Sequence, residues 1–117
     1  AILDRVDEAV TTRTCPHDFY RFLGHHLRGN MREAVRHANQ LTCVSYPGTH
    51  LAKALAAAAA GDGDAARQAV EALRALLPIW RTNPHEALGR MFPHAPFAER
   101  IMRELTPAGL QATAARR

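Results

Sequence analysis

Apolar side chains recur along this chain at intervals of three and four residues, the spacing that lines them up on one face of an α-helix. Ile2, Val6 and Ala9 open the pattern, and Phe19, Phe22, Leu23 and Leu27 continue it. Met31, Ala34, Val35, Ala38 and Leu41 form the next stripe, with Arg32, Arg36 and Asn39 on the opposite face. Leu51, Ala54, Leu55 and Ala58 follow, then Ala66, Ala69, Val70, Leu73 and Leu77. Punctuating residues separate the stripes. Pro16 suits an opening helical turn, where its missing N–H costs nothing. Gly29 and Gly61 suit left-handed helix ends. Asn30 is placed to cap the next helix, with Glu33 completing a capping box, while Thr49 and Asp62 or Asp64 are caps for the later ones.

The stripes repeat. Pro16, Pro47 and Pro78 stand 31 residues apart, and Gly29/Gly61, Ala34/Ala66, Ala38/Val70 and Leu41/Leu73 stand 32 apart. Two helix pairs are therefore expected, at 15–46 and 47–78, each folded back on itself at its glycine. Residues 1–13 match the second helix of such a pair, so they are expected to be half of an earlier unit with one apolar side unpaired. After Pro78 the period fails. A short helix capped by Asn83 and Glu86 is expected to end near Met91, and another with Phe97, Ile101, Met102 and Leu105 to stop before Pro107. These capping helices complete a single domain over 1–110, and the tail 111–117 is expected to be disordered.

Glycine at the turn, a small residue early in the second helix and a closing proline resemble the tetratricopeptide repeat family, here as Gly29, Ala34, Pro47 and then Gly61, Ala66, Pro78. From HLAKALAAAAAGDGDAARQAVEAL to FPHAPFAERIMRELTPAGL, the chain resembles the C-terminal repeats of bacterial multidomain signalling proteins that begin with a cyclase-type or winged-helix domain. The resemblance implies an all-α fold, a short solenoid of antiparallel helix hairpins whose first helices line a concave groove. It places Phe19, Leu23, His26, Leu51 and Leu55 on that inner face. This lining is apolar and lacks the Lys, Asn and Arg with which the family's peptide-binding members clamp a carboxylate. A hydrophobic helix or loop is the ligand it implies. The units are shorter than the family's usual ~34 residues, and alanines replace the bulky aromatics in the second.

Composition narrows the reading. At 117 residues the chain fits one domain, and its hydrophobic content of 47% with many alanines and few β-branched residues favours helices. The net charge of +4 comes from arginines spread along the chain, many beside acids, which fits a solvated surface better than a nucleic-acid footprint. Cys15 and Cys43 form no Cys-x-x-Cys pattern, and free thiols in a reducing, cytoplasmic setting are expected. No apolar run approaches the ~20 residues of a membrane span, and no signal peptide is evident. The start at Ala1, inside a helix pattern, suggests a fragment whose own targeting signals lie upstream.

Candidate chemistry is sparse. Of seven histidines, the adjacent His25 and His26 point about 100° apart on a helix, and neither has Glu or Cys four residues on. His17 and His37 reach them only if their helices pack suitably, so no metal and no cofactor is expected. The carboxylates Asp62 and Asp64 are explained by capping, and Glu71, Glu99 and Glu104 by solvated helix faces. GDGDAA lacks the Lys and Ser/Thr of a phosphate loop. Cys43 reads as a structural thiol, and Trp80 as a plug between the second unit and the capping helices. No catalytic set emerges. The expected function is binding of a protein or peptide partner, with self-association through residues 1–13 as a second reading and arginine-mediated nucleic-acid binding as a third.

Overall fold

A computed structural model describes the backbone of residues 2–110 and the side chains of 15–110. Among the described residues seven helices run in order, α1 (Ile2–Leu27), α2 (Met31–Gln40), α3 (Pro47–Ala59), α4 (Gly63–Leu76), α5 (Ile79–Thr82), α6 (Pro84–Met91) and α7 (Ala95–Leu105), followed by a 3-10 turn at Thr106–Ala108. No strand occurs among the described residues. The expected tail 111–117 lies outside them, as do the side chains on which self-association through 1–13 depends.

The two hairpin turns share one geometry. Gly29 and Gly61 adopt φ of 78° and 80°, conformations that cost glycine little. The Asn30 N–H donates to His25 O at 2.9 Å, and the Asp62 N–H to Ala57 O at 2.9 Å. Gly29 N–H donates to His26 O and Gly61 N–H to Ala58 O, both at 3.1 Å. Each bond recurs 32 residues on, satisfying the carbonyls that a helix end leaves free. Ala34/Ala66, Ala38/Val70 and Leu41/Leu73 are all buried.

Several local expectations are corrected. Residues 2–13 are not a separate helix: α1 (Ile2–Leu27) continues through Pro16, which lies inside it. The proline supplies no N–H to the helix there, and its ring stands at an exposed position. Asn30 makes no side-chain cap bond; it lies 3.1 Å from His25 Nδ1, and Glu33 instead accepts from Arg36. Thr49 does not cap α3, because Pro47 already begins that helix, and its hydroxyl is buried. Asp62 and Asn83 do cap, accepting from Ala65 N–H at 3.1 Å and Glu86 N–H at 3.2 Å. Trp80 is buried, as its expected plugging role requires.

The thiols are not free. Cys15 and Cys43 are joined in a disulfide, with Cα atoms 6.5 Å apart, tying the middle of α1 to the segment after α2. The sequence separation of 28 residues conceals this proximity, because the hairpin turn brings the second cysteine back alongside α1.

α3 is the central helix, packing on α1, α2, α4 and α7. Its small residues permit this: Gly48, Ala52, Ala54 and Ala56 are buried beside Leu51 and Leu55. At its start the fit is tight, since a Cβ on Gly48 would lie 2.9 Å from Cγ of Phe19 and closer still to the Tyr46 ring. That packing buries the Tyr46 hydroxyl enough to push its pKa up to about 12. Gly48→Ala is expected to destabilise the protein by about 1–3 kcal/mol through overpacking, measured by urea denaturation. Reduction of Cys15–Cys43 should cost roughly 3–4 kcal/mol, from the entropy of the loop it releases in the unfolded chain. Denaturation with and without reductant measures it.

Candidate functional site

The five residues expected to line a groove lie in the core. Phe19, Leu51 and Leu55 are fully buried, and Leu23 and His26 retain 3% exposure each. The chain's own C-terminal part packs against two of them, Phe19 and His26, and against α3. Phe92 meets Phe19 with ring centroids 6.0 Å apart and Phe97 at 5.0 Å, and α7 packs on α3, burying Ile101, Met102 and Leu105. The C-terminal segment expected only to close the end of a stack lies against Phe19, His26 and α3. Four apolar side chains left open to water would cost far more than this intramolecular docking.

His26 shows how that cover is fastened. Its Nε2 lies 2.6 Å from Glu104 Oε1, while Arg100 Nε donates to Glu104 Oε2 at 2.9 Å. Burial raises the pKa of Glu104, but the bonds from Arg100 and His26 outweigh it and hold the carboxyl below its ordinary value. Glu104 is therefore a latch between α1 and α7 and not a solvated helix position.

Of the concave features open among the described residues, two carry side chains that bear on function. The larger, about 490 Å³, lies over α3 between α2 and α4. Its floor is the face of α3 carrying His50, Lys53, Ala57 and Ala60, spaced three or four residues apart. Val35 and Ala38 form one wall, Ala65 and Ala69 the other. His50 is held by donating from Nε2 to Val44 O at 2.8 Å. The sequence signal for this groove is the alanine run 56–60, uncharged although Ala59 and Ala60 are exposed.

The second is a cleft of about 410 Å³ at the first hairpin turn, lined by His17, Tyr20, Arg21, His25, Arg28 and His37 together with Gly24. His25 and His37 stack with centroids 5.1 Å apart. Burial lowers the pKa of His37, reinforced by Arg36 and His25 and opposed by Glu33. The Arg36 bond likewise lowers Glu33. The packing of α1 on α2 thus meets the condition set from sequence for His37 to approach His25.

These environments give a signed expectation for acid. Both His37 and Glu104 have lowered folded-state pKa values, so the unfolded chain binds protons first and stability falls with pH. The His37 contribution is lost as pH drops below about 6.5, and that of Glu104 below about 4.5. Glu104→Gln should flatten the second decline and cost about 1–3 kcal/mol at neutral pH, read from urea midpoints across pH. Compared with protein-family models, curated proteins and solved structures, the chain matches none of them.

Proposed function

We propose that this chain is a non-catalytic protein-interaction module that receives an apolar helix or extended segment of a protein partner. The observation that carries the proposal is the uncovered face of α3, an alanine-walled groove between α2 and α4. With half of its lining residues alanine, a partner backbone can approach closely, as small residues allow between packed helices. Polar groups of the lining, Lys53 on the floor with Asn39, Asp62 and Gln68 from the neighbouring segments, supply orientation.

The proposal includes the tetratricopeptide-like reading, with residues 15–46 and 47–78 as stacked repeats. The hydrogen bonds shared by the two turns at an offset of 32 residues support it. Membership of a larger bacterial signalling protein is part of the same proposal and rests on the sequence resemblance. No described helix is long and apolar enough to cross a membrane. A cytoplasmic location rests on the sequence alone, and the Cys15–Cys43 bond favours an oxidising compartment instead.

A photo-crosslinking residue at position 53, with Ala60→Arg/Ala69→Arg as the competitor variant, tests the groove. The variant should retain its helical circular dichroism and lose at least about tenfold in partner capture, equivalent to ~1.4 kcal/mol. Equal capture by a folded variant would rule out this groove as the binding face.

A further inference from the structure

The geometry points to a divalent transition-metal site formed by His25, Glu33 and His37 at the first hairpin turn. One ligand atom from each residue lies within 4.8 Å of those from the others. His25 stands in the last turn of α1. Glu33 and His37 are four residues apart on α2, hence one above the other on the same helix face. The hairpin turn at Gly29 brings the two helices together, so the site depends on the fold and not on one helix.

His37 supplies the independent indication. It is 7% exposed, and its Nδ1 has no hydrogen-bond partner. An unpaired nitrogen in a buried ring destabilises a fold unless something binds it. The same ring lines the cleft at the first hairpin turn, while Nδ1 itself is shielded from solvent. His25 is already oriented, with Nδ1 3.1 Å from the Asn30 amide. When His25 ligates through Nε2, its Nδ1–H donates to that amide turned to present oxygen, the outer-shell bond typical of metal-bound histidine. Glu33 Oε2 takes no hydrogen bond among the described residues, since Arg36 occupies Oε1.

Two imidazoles and one carboxylate select the cation class. Mg²⁺ and Ca²⁺ prefer all-oxygen shells, whereas Zn²⁺, Ni²⁺ and Cu²⁺ accept this set. Arg21 and Arg28 line the adjoining cleft and Arg36 pairs with Glu33, so their charge opposes a dication. The cost is limited because Arg36 is half exposed and free to swing into solvent. The same arginines favour water or a small anion in the fourth position, which faces the cleft. Such an ion would staple α1 to α2 at the turn.

Zinc chloride titrated into the full chain, followed by calorimetry and thermal unfolding, tests the site. One equivalent should bind at micromolar concentration or tighter and raise the unfolding temperature. His25→Ala and Glu33→Gln, both at partly exposed positions, should each weaken binding by at least ~10- to 100-fold, the loss usual even for an outer-shell partner. His94→Ala, at an exposed position away from the turn, should bind as the parent does. No saturable binding below millimolar zinc, or equal affinity in parent and His25→Ala, would overturn the assignment.

Discussion

The burial of α3 is the constraint on which the rest of the structure depends. Helix axes approach within about 8–10 Å only when the side chains between them are small enough. Here one helix packs on four others, and Gly48, Ala52, Ala54 and Ala56 make that crowding sterically possible. Leu51 and Leu55 supply the larger apolar surface, with Phe19 and Phe22 beside them in the core. Once α1, α2, α4 and α7 have docked, only the strip from His50 to Ala60 remains open. The position of the groove is thus a consequence of how the core is covered.

Much of this was legible in the sequence because it is local. A glycine after an apolar stripe specifies a left-handed helix end, and Gly29 and Gly61 obey that rule with identical bond patterns. The helices 31–40, 63–76, 84–91 and 95–105 likewise follow from spacing and punctuation. Pro16 departs from its expected place at a helix start: it lies inside α1, where a proline loses a hydrogen bond and crowds the preceding turn. Asn30 and Glu33 had competing partners, His25 and Arg36, that no capping rule could weigh.

The long-range contacts were not legible. Nothing in periodicity distinguishes a terminal helix that closes the end of a stack from one that folds across its face. Phe92 on Phe19 and Glu104 on His26 decide that question over separations of 73 and 78 residues. The same limitation concealed the Cys15–Cys43 bond and the meeting of His25 with Glu33 and His37. In each case the residue types were noticed and their partners were not, because the partners stand on other helices.

Hydrogen exchange of the α7 amides, Ile101 to Leu105, tests most directly that the inner face is covered by the chain itself. If α7 is part of the core, these amides will exchange as slowly as those of α3. Exchange of α7 at the rate of an unstructured peptide, while α3 stays protected, would mean that Phe19, Leu51 and Leu55 are open to a partner after all.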